Sequence, residues 1–374
     1  MARRVHGRQI HGQIGVVEFI KGSWLNWFLV FIPITVAIGI TGAPKLWLFL
    51  TSALAIVPLA GLIGSTTEQI SSRTGPGLGG LLNATFGNAT ELIIALFALS
   101  AGLQEIVKAS ISGSIIGNNL LVLGASMFAG GLGREKQTFS RTKAGASAAM
   151  LFLAVVALVM PAVFDLAVFG TLERSTPRIE LLSLLVSMVL IFTYLASLIF
   201  AFKTHRDLIS SVPSDEQEPR LSISNSIMLL ALATAAVAWE SEVLVGAVEG
   251  ATRSLGMTEF FVGVVIVAIV GNAAEHFSAV LMARRNHMEL AVTIATGSST
   301  QIALFVAPVL VFASFVIGNP LSLVFNAFEI AAIGLSVMAL SLVSLDGESN
   351  WFEGMQLIAV YVILAIVFYF VPAG

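Results

Sequence analysis

Eleven runs of apolar residues, separated by short polar segments, set the strongest limit on how this chain can fold. Each run is long enough to cross about 30 Å of hydrocarbon as a helix. Hydrophobic residues make up 57% of the 374 residues and charged residues only 11%, so a soluble core could not hide this much apolar surface. The sequence therefore predicts an all-α polytopic membrane protein with about eleven transmembrane helices. The runs cover residues 24–40, 46–64, 80–101, 106–131, 144–164, 179–202, 223–249, 259–283, 288–317, 321–345 and 351–371.

Composition also excludes several classes of function. The formal net charge is −3 and the basic residues are scattered, which indicates no nucleic-acid partner. The chain has no cysteine, so disulfides and thiolate metal sites are excluded. The basic start MARRVHGRQIHGQIGVVEFIKGS resembles a secretory signal, but the run that follows is too long for one, which favours a retained first helix.

The distribution of positive charge predicts the orientation in the membrane. With the N-terminus in the cytoplasm, fourteen of the 19 Lys and Arg residues lie on the cytoplasmic side and five outside. The bias follows the rule that cytoplasmic loops are enriched in Lys and Arg. It predicts a cytoplasmic loop over 134–143, a cytoplasmic linker and an external C-terminus. The five external residues are Lys45, Lys108, Arg174, Arg178 and Arg253.

The pentapeptides GNATE (87–91) and GNAAE (271–275) reveal an internal repeat with an offset of 184 residues. The same offset aligns Glu105 with Glu289, and Gly113-Ser114 with Gly297-Ser298, without gaps. We therefore divide the chain into an N-terminus and extra first helix (1–45), a first five-helix repeat (46–202), a linker (203–222) and a second five-helix repeat (223–374). An odd number of spans per repeat inverts the second repeat relative to the first, as in many secondary transporters.

Each pentapeptide places a carboxylate where water is scarce. Helical spacing puts Asn88 and Glu91 on one face, and Asn272 and Glu275 on another. The preceding glycine weakens the helix, and asparagine competes for backbone hydrogen bonds, so the pair favours a break in the helix. Intramembrane carboxylates usually mark an ion path. The pattern predicts a cation site, and the plainer alternative is that neutral glutamates tie helices together.

The helix after each pentapeptide carries polar groups at a matching depth. Ser114 and Asn118 lie four residues apart in SISGSIIGNN, and Ser298 and Gln301 lie in TIATGSSTQ. We predict that these four residues adjoin the cation site. For a single serine, close packing of helices through small residues is the alternative.

Four further titratable residues are candidates for a proton path or a gate. Glu240 and Glu242 are two residues apart, which turns them about 200° around a helix, so at most one of them can face the centre. Glu329 is expected in the middle of a span, where it either serves protons or binds a neighbouring helix. His276 follows Glu275 and either passes protons or is a packed, neutral side chain.

The sequence is similar to the calcium/cation antiporter superfamily, and specifically to its cation/proton exchanger branch. GLLNATFGNATELIIALFAL (80–99) resembles the first repeat of that family and GNAAEHFSAV (271–280) the second, while GSIIGNNLLVLG and ATGSSTQIALFVAP resemble the helices that follow. The resemblance implies that Glu91 and Glu275 bind Ca²⁺, with Asn88, Asn272, Ser298 and Gln301 beside them. It also implies that helices 46–64 and 223–249 slide as a gating pair.

The resemblance makes a secondary transporter that exchanges Ca²⁺ for H⁺ by alternating access the leading hypothesis. Ca²⁺ and H⁺ are then substrates, no cofactor is expected, and the chain is not an enzyme. A sodium/calcium exchanger is the nearest alternative and a cation channel a more distant one. The chain lacks the long N-terminal extension and acidic central segment of eukaryotic relatives, which favours a prokaryotic plasma membrane. Selectivity among Ca²⁺, Mn²⁺ and Cd²⁺ and the oligomeric state stay open.

Overall fold

A computed structural model describes residues 14–170, 176–204 and 220–372. These residues are almost entirely helical, with one short pair of strands, β1 (Gln137–Thr138) and β2 (Glu348–Ser349). The helices are α1 (Val16–Lys21), α2 (Trp24–Thr41), α3 (Lys45–Phe86), α4 (Ala89–Ser100), α5 (Gln104–Gly131), α6 (Arg141–Phe169), α7 (Pro177–Ile199), α8 (Ile223–Leu255), α9 (Glu259–Gly271), α10 (Ala273–Arg284), α11 (Met288–Ile317), α12 (Ala327–Val343) and α13 (Trp351–Tyr369).

The protein is an integral membrane protein. Eight helices in the described residues are long and apolar enough to cross a membrane, and the bent pair of α9 and α10 makes a ninth. The helices α4 and α12 are apolar but shorter, with 12 and 17 residues. The class of fold is confirmed, whereas the number of eleven spans depends on counting these shorter helices and stays a prediction.

Besides the bent pair of α9 and α10, two of the expected spans are not continuous helices. The run 80–101 is divided, because α3 continues to Phe86, with a bend where Gly75 has φ +81°, and α4 begins only after Asn88. The run 321–345 is helical only from Ala327, because residues 318–326 form no helix. Proline at position 320 lacks the N–H that a helix interior needs, and Asn326 caps the next helix.

The centre of the protein is built around α5. In the most apolar part of α5, 89% of the residues are buried, compared with 22% in α7 and α13. Large apolar side chains such as Phe192 and Val189 on α7 are exposed, as expected where a helix faces lipid. The residues that carry polar chemistry on α5 therefore lie within the protein and not at the lipid surface.

The helices α3 and α8 pack against each other along their length in antiparallel directions. Near one end, Lys45 Nζ donates to the carbonyl of Gly246 at 3.2 Å. At the other end, Gln69 Oε1 accepts from the backbone N–H groups of Arg220 at 2.7 Å and Leu221 at 3.2 Å. These helices contain the two expected gating helices, so their pairing is observed, while their sliding stays a prediction.

Loops that the topology places on one side of the membrane lie together. Strand β1 pairs with β2, and Gln137 Nε2 donates to Ala283 O at 2.9 Å, so the loops after α5, α10 and α12 meet. Lys136 and Glu348 form an exposed ion pair there, and the hydrogen bond that Lys136 Nζ donates to the Glu348 carboxylate raises the pKa of Lys136. At the opposite end, Gln104 Nε2 donates to Asn319 Oδ1 at 2.7 Å. The grouping agrees with the predicted topology, but which end is cytoplasmic stays a prediction.

The two halves share unusual backbone conformations at the offset of 184 residues. Gly102 has φ +79° and Asn286 has φ +67°, both in the left-handed region. The next residues, Leu103 and His287, both have ψ 59° and precede a helix. These matches support the internal repeat that the sequence predicts, and the inverted orientation of its second copy stays a prediction. Further along, π-helical segments occupy Gly117–Val122 in α5 and Ile302–Val306 in α11.

Candidate cation-binding site

Both pentapeptides lie where a helix is broken. Asn88 separates α3 from α4 with φ −106° and ψ 24°, and Asn272 separates α9 from α10 with φ −92° and ψ 4°. The second break bends the chain by 60°. Asn272 Nδ2 donates to Ala268 O at 2.9 Å, so its side chain binds a carbonyl next to the break. The expected interruption of both helices is confirmed.

The two carboxylates follow directly after these breaks. Glu91 lies in the first turn of α4 and Glu275 in the first turn of α10, where unpaired N–H groups and the helix dipole favour negative charge. The Cγ atom of Glu91 lies only 3.1 Å from the place where a Cβ atom on Gly271 would stand. Glycine at position 271 therefore lets Glu91 approach the second break, and the two carboxylates are close enough to repel each other.

Amide and hydroxyl groups join the two breaks to the following helices. Asn118 Nδ2 donates to Asn272 Oδ1 at 3.2 Å and to Ser298 Oγ at 3.0 Å. Asn272 Nδ2 donates to Ser114 Oγ at 2.9 Å. Ser298 Oγ donates to Asn88 Oδ1 at 3.3 Å and also lies beside the Glu275 carboxylate. A single polar cluster therefore contains these groups.

The cluster extends to Gln301, whose Oε1 accepts a hydrogen bond from Asn88 Nδ2. The structure thus brings together all eight residues that the sequence placed at or beside the site. The positions are observed, and their role in binding a cation stays a prediction. The eight are Asn88, Glu91, Ser114, Asn118, Asn272, Glu275, Ser298 and Gln301.

Several oxygen atoms of this cluster are buried without a hydrogen-bond partner among the described residues. They are both carboxylate oxygens of Glu91, Oε2 of Glu275 and Oδ1 of Asn118. A buried polar atom without a partner costs free energy, and a buried charge costs far more. Four unpaired oxygens at one place therefore indicate a positively charged ligand or bound protons.

A narrow cavity borders Glu91. Its polar lining is Glu91, Ser110 and Ser114, and the backbone of Gly271 closes one side. The cavity extends from Glu91 toward the end of the molecule at which Gln104 meets Asn319. The cavity therefore lies on one side of the helix breaks, while the Glu91 oxygens themselves are buried. The other lining residues are Ile94, Ala95, Ile111, Val267, Ala268, Ile302 and Val306.

The remaining candidate residues lie away from this cavity. Glu240 is fully buried and Glu242 is exposed, which confirms that only one of them faces inward. Glu240 lies beside Thr35 of α2 and does not line the cavity. The side chain of His276 is partly buried, and its backbone N–H donates to Asn272 O at 3.0 Å.

Glu329 was expected in the middle of a span, and this expectation is wrong. It lies in the first turn of α12, where it forms a capping box with Asn326. The N–H of Glu329 donates to Asn326 Oδ1, and the N–H of Asn326 donates to Glu329 Oε2, both at 2.9 Å. The reason is that residues 321–326 form no helix, although their apolar character made them look like the beginning of the span. Glu329 therefore lies near the start of the helix.

Lys108 was expected outside the membrane, but it is buried within the protein. Only 2% of Lys108 is exposed, and its Nζ donates to Ser322 Oγ and Val324 O, both at 3.0 Å. A pattern in the sequence could have indicated this. Gln104, Lys108 and Ser112 recur every four residues and form a polar stripe on an otherwise apolar helix.

Two comparisons with known proteins decide the family. The family described as Sodium/calcium exchanger protein matches residues 44–203 and 225–370. The chain belongs to this family. Within it, the chain falls in the cation/proton exchanger branch, because its curated relatives include proteins named as such or as Ca²⁺/H⁺ antiporters. The Ca(2+)/H(+) antiporter of Aphanothece halophytica is 44% identical over 377 residues, covering 96% of each chain.

A second relative and a solved structure agree. The Ca(2+)/H(+) antiporter ChaA of Bacillus subtilis is 43% identical over 343 residues, covering 90% of this chain and 96% of the relative. The solved structure of native YfkE superposes with a TM-score of 0.80 at 41% identity, covering 92% of this chain and all of that one. These relatives are transporters, and the likeness extends over nearly the whole membrane domain.

Proposed function

We propose that this protein is a Ca²⁺/H⁺ antiporter in which Glu91 and Glu275 form one site that Ca²⁺ and protons occupy in turn. The observation that carries the proposal is the set of unpaired, buried carboxylate oxygens at the two helix breaks. The names of the most similar relatives support the choice of ions.

The atoms around the site suit a hard divalent cation. Ca²⁺ takes six to eight oxygen ligands, and carboxylates with amide or backbone carbonyls are typical. Glu91 and Glu275 supply the negative charge, while Asn88, Asn272 and Ser298 supply neutral oxygens beside it. The described residues contain no group of three or more His, Asp or Glu that could hold a metal. Two carboxylates among neutral oxygens balance one divalent ion, and Mn²⁺ suits the same ligands.

The same pair of carboxylates explains why protons replace the ion. When Ca²⁺ leaves, two negative charges remain close together in a poorly hydrated place, and protonation removes the repulsion and the cost of burial. A doubly protonated pair crosses the membrane centre at little cost, whereas an empty, doubly charged pair does not. Return of the carrier without cargo is therefore suppressed. Two protons against one Ca²⁺ give an electroneutral exchange.

Alternating access requires that the site opens to one side at a time. The cavity next to Glu91 extends toward one end of the molecule, and at the other end β1 and β2 hold the loops of both halves together. The long antiparallel pair of α3 and α8 is the part that we propose moves. An inverted repeat provides two related conformations for such a cycle.

We place the protein in a prokaryotic plasma membrane with the N-terminus in the cytoplasm and the C-terminus outside. The bias of Lys and Arg supports this orientation. Because the chain has no cysteine, single cysteines can be labelled from each side without a background. Glu135→Cys, in the exposed loop before β1, is expected to react only from the cytoplasm, and Ser254→Cys, at the end of α8, only from outside. Reaction of Glu135→Cys from outside would refute the orientation.

The exchange itself is tested with purified protein in liposomes. Ca²⁺ uptake is measured with a pH gradient as the driving force and with sodium absent. A Ca²⁺/H⁺ antiporter accumulates Ca²⁺ under these conditions, a sodium/calcium exchanger does not, and a channel gives a flux that needs no proton movement in return. Uptake that appears only after sodium is added would overturn the proposal.

A further inference from the structure

Residues 318–326 cross part of the protein without forming a helix, so their backbone groups need other partners. Serine side chains supply two of them. Ser314 Oγ accepts from Leu321 N at 2.8 Å, and Ser183 Oγ accepts from Leu323 N at 2.9 Å. Leu321 and Leu323 are each only 1% exposed, so bulk water cannot serve as the hydrogen-bond partner of their N–H groups.

The polar stripe of α5 supplies further partners. Gln104 Nε2 donates to Asn319 Oδ1 at 2.7 Å, and Lys108 Nζ donates to Val324 O and Ser322 Oγ. Four residues further on, Ser112 Oγ donates to Glu329 Oε1 at 2.9 Å. One face of α5 therefore holds the non-helical segment and the start of α12 at three successive points. We call Lys108, Ser112 and Glu329, which form the buried part of this contact, the Lys108 network.

The two charged side chains of the network are both buried. Lys108 and Glu329 are each 2% exposed, and the ammonium acts electrostatically on the carboxylate. Glu329 Oε2 accepts from Asn326 N, so both oxygens of Glu329 have partners. The other charged group that acts on Glu329 is Glu105, which is partly exposed in the first turn of α5. Both oxygens of the buried carboxylate are thus paired by hydrogen bonds within the protein, and the Lys108 ammonium lies within electrostatic reach of them.

Another face of the same helix belongs to the cation site. Ser110 and Ser114 line the cavity, and Asn118 binds Asn272 and Ser298. Two residues along a helix correspond to about 200° of rotation, so Ser110 and Ser114 point away from Lys108 and Ser112. Any shift of α5 against the segment 318–326 would therefore also move Ser114 and Asn118.

We propose that Lys108 and Glu329 are positioning residues that hold α5 in register with the cation site, and that Glu329 carries no transported proton. The inference rests on the proposed Ca²⁺/H⁺ exchange. It assigns a role to Lys108, and it removes Glu329 from the candidates for a proton path.

The test uses Lys108→Gln, Glu329→Gln and the double variant in liposomes, with the rate, the KM for Ca²⁺ and the protons moved per Ca²⁺ measured for each. Each single change leaves one buried charge without its counterpart, and we expect a maximal rate lowered roughly tenfold. The double variant restores neutrality while both amides can still form hydrogen bonds. We expect its rate to recover to within about threefold of the original, with an unchanged number of protons per Ca²⁺.

A milder pair of variants separates positioning from general loss of stability. Ser112→Ala removes one hydrogen bond to Glu329 and is expected to raise the KM for Ca²⁺ about two- to threefold at an unchanged maximal rate. Ser126→Ala is the matched control, because this buried hydroxyl on the same helix has no hydrogen-bond partner in the part of the chain that the structure describes. We expect it to change neither value.

Three results would overturn the inference. The first is a double variant whose transport rate is no higher than that of the single variants. The second is a number of protons per Ca²⁺ that falls both in Glu329→Gln and in the double variant. The third is an equal change of KM in Ser112→Ala and Ser126→Ala. If the single variants fail to fold, melting temperatures take the place of rates, and a double variant that also fails counts against the network. Absence of Ca²⁺/H⁺ exchange in the unaltered protein would instead refute the proposed function, while the melting temperatures still test the network.

Discussion

Glu91 and Glu329 are both acidic residues with buried carboxylate oxygens in the first turn of an apolar helix, but their surroundings differ. Both oxygens of Glu329 accept hydrogen bonds, and Lys108 acts on the carboxylate. Neither oxygen of Glu91 has a partner in the described residues, and the charge that acts on it is the like charge of Glu275. A buried acid whose partners are all supplied by the protein is held in place. A buried acid without them is ready to take a ligand or a proton.

The largest effect is expected at the acids without partners. Glu91→Gln and Glu275→Gln each remove one of the two charges that neutralise Ca²⁺, and an amide cannot replace it in a poorly hydrated site. We expect either variant to abolish ⁴⁵Ca²⁺ flux in vesicles at matched protein levels. Near-normal flux in either variant would show that this carboxylate is not needed for Ca²⁺ transport, although its buried oxygens lack partners.

The second prediction concerns protons released on binding. If Ca²⁺ and protons share Glu91 and Glu275, then the apparent affinity for Ca²⁺ weakens as the pH falls, because protons compete for the same oxygens. We expect about two protons to leave for each Ca²⁺ that binds. Calorimetry in buffers with different ionisation enthalpies counts these protons directly. Binding that does not change between about pH 6 and 8 and releases no protons would show that the two ions do not share a site.

The sequence predicts the site better than it predicts the parts that hold the site. Gly-Asn pairs weaken helices wherever they occur, so the breaks at Asn88 and Asn272 followed from local chemistry. The contacts of Asn272 with Ser114 and of Asn88 with Ser298 followed from the repeat, because the offset of 184 residues relates one contact to the other.

The Lys108 network was missed for the opposite reason. Residues 321–325, Leu-Ser-Leu-Val-Phe, are as apolar as a transmembrane helix, and hydropathy alone cannot show that their backbone is bound by Ser183, Ser314 and Lys108. A charge bias places a lysine near a loop on one side of the membrane, but it cannot show that the lysine points into the protein. Partners distant in sequence decide both features.

The third prediction tests how close Glu91 lies to the second break. Gly271→Ala introduces a Cβ atom 3.1 Å from Glu91 Cγ, which is closer than ordinary contact, so the glutamate has to shift by a few tenths of an ångström. We expect the KM for Ca²⁺ to rise roughly three- to tenfold while the protein still folds, because ligand geometry and not stability is changed. Gly334→Ala on α12 is the matched control, since its Cβ meets no atom within 4 Å. Equal KM values for the two variants would place Glu91 away from Gly271.

Glu240 resembles Glu91 in some features and Glu329 in others. It is fully buried and both of its oxygens lack a hydrogen-bond partner among the described residues, as in Glu91. Yet no second carboxylate among the described residues acts on it, it does not line the cavity, and its polar neighbour is Thr35. The Thr35 hydroxyl already donates to Phe31 O at 2.9 Å, so its oxygen is left to accept. A protonated carboxyl or an amide at position 240 could donate to it.

The smallest effect is therefore expected for Glu240→Gln, with the exposed Glu242→Gln as its matched control. An amide at position 240 keeps a donor toward Thr35, so we expect the KM for Ca²⁺ to stay within about twofold in both variants. We also expect the number of protons moved per Ca²⁺ to stay the same. A site that Ca²⁺ and protons share needs two negative charges in one place, and Glu240 is a single carboxylate. Simultaneous recording of Ca²⁺ uptake and proton release in liposomes measures both values. If Glu240→Gln moves one proton fewer per Ca²⁺ and Glu242→Gln does not, then a buried acid without a hydrogen-bond partner carries a proton even when no second carboxylate lies beside it. The pairing of Glu91 with Glu275 would then matter only for binding Ca²⁺.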